Sequence, residues 1–404
     1  MAPPVAITGL GAVTAVSTDL ADLAMAIAEG RCGIRALTRF ETQGRCGLAA
    51  EATLPPAVDD ALDSVSRRRL SRADRLALAA AHEACQQAHV DAALGRDTAV
   101  FSGATTAGMR VTEEAYQRRR AGETNRFRLS QLLATSLASP AAAVAQGLGL
   151  FGPRLTVSTA CSSSALAIGA AVDCIRHGRA RVAVAIGCDQ LCRLTHAGFD
   201  ALQALDRAPC RPFDRERRGL SLGEGAAALV LEDAAHARAR GATIRGWVLG
   251  WGTTTDAHHV TAPHPEGVGA VQALRVALAD AGRDPNAVEY INAHGSGTKQ
   301  NDEIEVGALR TVFGARLAQV PISSTKSQVG HTLGAAGAIE AVTTMVGMQH
   351  GLVPPTMQLT NPEWTDLDFV SAPGRRARIG VAASSSYGFG GHNVTLVLAH
   401  PEAV

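Results

Sequence analysis

Short, uninterrupted apolar segments recur along this chain, each followed by a stretch with helical spacing. RVAVAIGC (181–188) and EGAAALVLE (224–232) lack polar/apolar alternation, the signature of strands covered on both faces, and NVTLVLAH (393–400) reads as a closing strand. A sheet covered in that way needs helices above and below it, which confines the chain to α/β architectures. VAITGLGAV (5–13), DTAVFSG (97–103), RLTVSTA (154–160), TIRGWVLGWG (243–252) and AVEYINAHG (287–295) read as further strands. RLTVSTA is expected to be buried. Helical spacing covers 19–30, 70–90, 165–178, 266–282, 301–314 and 334–350. The alternation predicts mainly parallel sheets with helices on their faces. It repeats in the second half, with a break near 250, so two intimately fused units are expected, 1–250 and 251–404.

At 404 residues, 46% hydrophobic and 19% charged, the chain suits a folded globular protein. A net charge of +1 excludes bulk attraction to nucleic acid, so an acidic partner must meet a local patch. No apolar run approaches the roughly 18 residues of a membrane span. The N-terminus enters a strand pattern without a signal-peptide layout, so a soluble cytoplasmic protein with no membrane association is expected. All eight cysteines lie in the first 210 residues and none forms C-x-x-C. The Cys188/Cys192 spacing reads as packing, because no second cysteine pair accompanies it. Reduced thiols and no metal site are expected. Of 38 basic residues only Lys299 and Lys326 are lysines. A lysine kept in an arginine-using chain is a candidate for work that a guanidinium cannot do.

GLGAVT (9–14) begins like a dinucleotide fingerprint but ends in Thr14, and it reads as a tight turn. A phosphate-binding G-x-x-x-x-G-K-[ST] loop is absent. STACSSSALAI (158–168) is more informative. Cys161 falls where an apolar strand gives way to a helix, and free N–H groups at a helix start lower a thiol pKa from about 8.5. Two of the 13 histidines sit in glycine-rich loops after strands: His294 in NAHGSGT (292–298) and His331 in STKSQVGHTLGAAG (324–337), five residues after Lys326. Glycines beside each let backbone and substrate approach closely.

STACSSSA, NAHGSGT, STKSQVGHTLGAAG and SSYGFGGHN (385–393), in this order and separation, resemble the signature motifs of the β-ketoacyl-acyl carrier protein synthases in their Cys-His-His branch. RPFDRERRGLSLGEGAAALVLE (211–232) and TDAHHVTAPHPEG (255–267) extend a likeness that spans the chain. The resemblance implies the thiolase fold, two similar five-stranded halves in αβαβα layers, and an acyltransferase performing decarboxylative Claisen condensation. Cys161 would carry the acyl chain, and His294 and His331 would donate hydrogen bonds to the malonyl thioester carbonyl. Lys326 would orient the site through an ion pair with Glu340. The N–H groups of Cys161 and Phe389 would form the oxyanion hole. Phe389 would also gate the acyl pocket, with Gly388, Gly390 and Gly391 supplying mobility. No cofactor is implied, since substrates ride on the phosphopantetheine arm of acyl carrier protein.

The implied partners are that acidic carrier and either a second copy of the chain or a chain-length factor. SRRRLSRADR (66–75), with Arg67, Arg68, Arg69 and Arg72, and QRRRAGETNRFR (117–128) are candidate docking surfaces. A degradative thiolase would carry a second cysteine near the C-terminus, and residues 211–404 contain none. A Cys-His-Asn enzyme would place asparagine at His331, and an inactive chain-length factor would lack Cys161. The TACSSS motif is common in polyketide and polyene ketosynthases, whereas housekeeping fatty-acid enzymes more often carry TAC-[TA]-[ST]-G. A type II polyketide or polyene pathway is therefore favoured over housekeeping elongation.

Overall fold

The computed structural model describes residues 2–56, 58, 68–123 and 132–404. Ten strands make the main sheet: β1 (Val5–Val13), β2 (Ala99–Gly103), β3 (Arg154–Val157), β4 (Val182–Asp189), β5 (Gly225–Glu232), β6 (Gly246–Thr255), β7 (Tyr290–Asn292), β8 (Ile322–Ser323), β9 (Val381–Gly388) and β10 (His392–Ala399). Their order is β8-β7-β9-β10-β6-β1-β5-β4-β2-β3. Cut between β6 and β1, it yields two five-stranded halves of identical topology. In each, the strands lie in the order third, second, fourth, fifth, first.

The ladders repeat too. The second strand of each half pairs in parallel with its third and fourth. The fifth pairs antiparallel with its fourth and first. The halves meet antiparallel through β1 and β6, with Val5 opposite Val248. The sheets are thus mixed rather than mainly parallel. β9 and β10 are joined by three residues, and so short a turn can only bring the chain back antiparallel.

Six helices matter to the site: α1 (Arg72–Gln87), α2 (Ser139–Leu148), α3 (Ser163–Arg176), α4 (Val268–Asp280), α5 (Lys299–Phe313) and α6 (Ala336–His350). α1 and α2 cover the outer face of the first half, and α4, backed by α5, covers the second. α3 and α6 touch each other and strands of both halves, so they form the central layer of an αβαβα stack. α6 buries thirteen consecutive residues, Ala336–Met348, as a helix enclosed by sheet on two sides requires. Each central helix follows the third strand of its half.

Small residues permit this layering. Gly9 and Gly11 lie within β1 rather than in the tight turn expected of GLGAVT. A Cβ on Gly9 would sit 2.0 Å from the Ala84 carbonyl oxygen, and one on Gly11 2.1 Å from that of Ala80. The glycine spacing lets α1 press backbone to backbone on β1. Trp251 of β6 lies over Gly169 of α3, where a Cβ would come within 2.3 Å of the ring. The Trp251 indole N–H donates to Asp173 at 3.1 Å, locking the second half to the central helix of the first. β3 is half-exposed rather than buried: it is an edge strand with Leu155 turned outward and Phe151 exposed just before it. No helix among the described residues is long and apolar enough to cross a membrane.

Candidate active site

Cys161, His294, Lys326 and His331 follow the third strand of the first half and the second and third strands of the second, and Phe389 follows β9. All stand at carboxyl ends of strands, where an α/β sheet opens its binding crevice. Cys161, His294, His331 and Phe389 line one cleft of about 520 Å³.

The cysteine sits on a strained elbow. Ala160, just before it, has φ = 51°, a left-handed conformation costly for a residue with a Cβ. The serines of the motif hold this turn. Ser163 Oγ donates to the Ala160 carbonyl at 2.6 Å and accepts the Thr159 N–H at 2.9 Å. Ser162 Oγ donates to the Thr159 carbonyl at 2.8 Å. Ser164 Oγ accepts the Ala338 N–H at 2.9 Å, tying the start of α3 to α6. All three serines are fully buried.

Cys161 is 6% exposed, and its environment reverses the expected sign of its pKa. Burial pushes the thiol up to about 11, with Asp189 and Glu340 adding to the rise. The Lys326 ammonium and the Phe389 N–H, which donates to the sulfur, pull it down. Desolvation therefore outweighs the helix start, and the resting group is a thiol.

Both imidazoles are neutral. Burial, reinforced by Lys326, holds His294 and His331 well below the usual histidine range, and His331 lowers His294 further. The backbone fixes their tautomers. His294 Nδ1 accepts the Tyr387 N–H at 3.3 Å, and His331 Nδ1 accepts the Leu333 N–H at 3.2 Å. With each Nδ1 an acceptor, the proton resides on Nε2, so each ring is a donor there. The rings lie nearly perpendicular with centroids 5.4 Å apart. Two neutral N–H donors that converge can hold one developing oxyanion.

Lys326 and Glu340, each about 1% exposed, form a buried ion pair. Burial raises the Glu340 carboxyl, and Lys326 opposes that rise. Phe389 is 37% exposed at the tip of the β9–β10 turn and stacks on Phe199 with ring centroids 5.6 Å apart. Gly390 and Gly391 adopt φ of 85° and 77°, which the turn requires. Gly388 serves close packing, since a Cβ there would meet the Thr159 carbonyl at 2.5 Å.

Two carboxylates that the sequence reading passed over position these groups. Asp189, fully buried at the end of β4, accepts the N–H groups of Thr105, Thr106, Ala107 and Gly334 at 2.7–3.1 Å. Thr105 Oγ1 in turn donates to the Ala160 carbonyl at 3.1 Å, so Asp189 supports the cysteine elbow through one intermediary. Glu305 accepts the N–H groups of His294 and Gly295, each at 2.7 Å, and burial raises it to about 8. A lone acid closing the apolar strand AVAIGCD was the signal available for Asp189. Residues 301–314 read as a helix, and only the fold shows that Glu305 lies on its inward face.

The arginines divide. Arg67 lies outside the described residues, as do Arg126 and Arg128 of the second run. Arg68 and Arg69 are exposed, and so are Arg118, Arg119 and Arg120. Arg72 is not part of an open patch: its guanidinium pairs with buried Glu224 at 2.8 Å and donates to the Ala52 carbonyl. The eight cysteines are free thiols, and among the described residues no cluster of three or more His, Cys, Asp or Glu could hold a metal.

The family description "Beta-ketoacyl synthase, N-terminal domain" matches residues 2–237 and "Beta-ketoacyl synthase, C-terminal domain" matches 245–360. The chain is similar to 3-oxoacyl-[acyl-carrier-protein] synthase 2 of Synechocystis sp., with 36% identity over 97% of each chain. It is 38% identical to Nodulation protein E of Rhizobium meliloti over 97% of this chain and 98% of that one. Among solved structures it resembles the ishigamide ketosynthase/chain length factor, with a TM-score of 0.92, 32% identity, and coverage of 99% and 100%.

Proposed function

The chain belongs to the β-ketoacyl synthase family, and from that membership we propose that it is a β-ketoacyl-acyl carrier protein synthase performing decarboxylative Claisen condensation. The observation that carries the reading is the convergence, in one cleft, of a buried thiol and two neutral imidazoles whose Nε2–H groups are free to donate. Cys161 Sγ attacks the acyl thioester of the carrier, and its proton goes to the departing pantetheine thiolate. Burial keeps the thiol protonated, so proton loss accompanies attack. The malonyl unit then releases carbon dioxide. The bonding electrons enter an enolate whose oxygen accepts from His294 and His331. The enolate carbon attacks the acyl carbonyl on Cys161, and the resulting oxyanion accepts from the N–H groups of Cys161 and Phe389. Collapse expels the Cys161 thiolate, which takes a proton from solvent. Neutral imidazoles can do this work, because each still presents a directed Nε2–H where charge develops and adds no further cation beside Lys326.

We place the enzyme in a type II polyketide or polyene pathway, supported by the TACSSS motif and the likeness to a ketosynthase/chain-length-factor system. The likeness to 3-oxoacyl-[acyl-carrier-protein] synthase 2 supports fatty-acid elongation as the second reading. Acyl carrier protein is the proposed partner, docking on Arg68, Arg69 and the Arg118–Arg120 run. The half-exposed edge β3, with Phe151 and Leu155 outward, suits pairing with a second copy or a chain-length factor. Intact-protein mass spectrometry tests the activity. An acyl-carrier donor adds one acyl mass to the wild type and none to Cys161→Ala, and malonyl-carrier then discharges it as a product two carbons longer. A chain that takes no acyl group from any carrier-bound donor is a vestigial subunit, and the reading fails. Product lengths with and without a chain-length factor separate the two pathways.

A further inference from the structure

One of the two lysines, Lys299, has no part in the condensation chemistry. It lies at the start of α5 and lines the cleft that holds Cys161, as does Arg218. Both side chains are exposed, and among the described residues neither takes part in an ion pair. Their loops are joined. The Gly219 N–H donates to the Gly297 carbonyl at 3.0 Å, and the Arg217 guanidinium donates to the Lys299 carbonyl at 3.2 Å. Arg217 is itself buried, 3.5 Å from Asp302 and stacked on Trp364, so the base beneath the two cations is rigid.

Two nearby carboxylates are occupied or turned away, and the exposed Glu303, one turn along α5 from Lys299, forms no ion pair with it among the described residues. Asp256, which also lines the cleft, accepts the Asn393 amide at 2.7 Å and the His264 N–H at 3.0 Å. Asp302 points inward to the N–H groups of Phe213 and Gly297. Among the described residues neither cation at this side of the mouth is held in an ion pair, which leaves both available to an anionic ligand.

We propose that Arg218 and Lys299 form a phosphate subsite that takes the phosphodiester of the pantetheine arm while its thioester reaches Cys161. The proposal rests on the ketosynthase reading and adds to it the group that anchors the arm. An ammonium suits a phosphate whose orientation changes as the arm enters and leaves, while the guanidinium adds directed N–H donors.

The test compares two small acyl donors that differ only in the phosphate, hexanoyl-4′-phosphopantetheine and hexanoyl-pantetheine, by the rate at which each acylates Cys161. The wild type is expected to favour the phosphorylated donor about three- to tenfold at low salt, the range of two partly exposed charge pairs. That preference should fall as salt rises. In Arg218→Gln/Lys299→Gln the ratio should approach one, and in Arg218→Glu/Lys299→Glu it should invert. Arg215→Gln, an exposed arginine outside the cleft, should keep the wild-type ratio. A wild-type ratio near one, or one unmoved by the double variants, overturns the subsite. Absence of Cys161 acylation by either donor or by acyl carrier protein would instead overturn the underlying reading.

Discussion

Replacing Lys326 with methionine leaves Glu340 as a buried carboxylate without its cation. Both groups are about 1% exposed, and Glu340 Oε2 has no hydrogen-bond partner among the described residues. Removing one member of such a pair costs about 3–5 kcal/mol, because the survivor loses its partner but not its desolvation. Glu340→Gln in the same chain removes the stranded charge, and most of that loss should return. The deficit should also depend on pH. Burial already raises the Glu340 carboxyl, and loss of Lys326 removes the cation that opposes the rise. The folded variant then binds a proton at a pH where the unfolded chain, with a carboxyl near 4.3, does not. Stability of Lys326→Met should therefore increase relative to wild type as pH falls from 8 towards 5. Urea midpoints at both pH values, for both single variants and the double, measure this directly. The function should not follow the stability. Lys326 is the charge that lowers both imidazoles and the Cys161 thiol, so the restored double variant should still acylate Cys161 slowly. A deficit below about 1 kcal/mol, or no rescue by Glu340→Gln, would refute the reasoning.

Alkylation of Cys161 by iodoacetamide should climb about tenfold per pH unit from 7 to 10, following a thiol held up to about 11, and a plateau near pH 8 would contradict the desolvated site. Because His294 and His331 are buried and held well below the ordinary histidine range, the folded protein resists protonating them. Their contribution to stability should be lost as pH falls below about 6.5, where unfolded histidines take up protons, and denaturation midpoints should show it less in His294→Gln/His331→Gln. Asp189→Asn turns an NH₂ group towards backbone donors and should cost about 1–3 kcal/mol, with slower Cys161 acylation measured by mass spectrometry. Gly11→Ala should destabilise by about 1–3 kcal/mol in thermal or urea unfolding, because the atom it would strike is backbone and cannot swing away.

Much of the fold was legible because its strands are short and apolar throughout. RVAVAIGC and EGAAALVLE became β4 and β5, every residue of each buried. Relative direction was less legible, since an apolar strand looks the same whichever way its neighbour runs. β10 lies antiparallel because three residues join it to β9, and β5 because a long excursion from 190 to 224 returns it reversed. RLTVSTA carried no mark of an edge, because exposure of β3 depends on what fails to lie beside it.

The chemical identity of the site was fixed locally: Cys161 at a strand–helix junction, His294 and His331 in glycine-rich loops, and Lys326 kept as lysine. Those are properties of neighbours along the chain. The ionisation of the site was decided by neighbours in space. A helix start by itself favours a thiolate, but enclosure between two halves desolvates Cys161 and turns the balance towards the thiol. The Nε2–H tautomers depend on N–H groups of Tyr387 and Leu333, one of which comes from a segment 93 residues away. Asp189 and Glu305 act only once β4 and α5 have been brought to the cleft. Sequence sets which groups are present and how each local turn is made. Desolvation and hydrogen-bond partnership are sums over everything within a few ångströms, and only the assembled layers determine those sums.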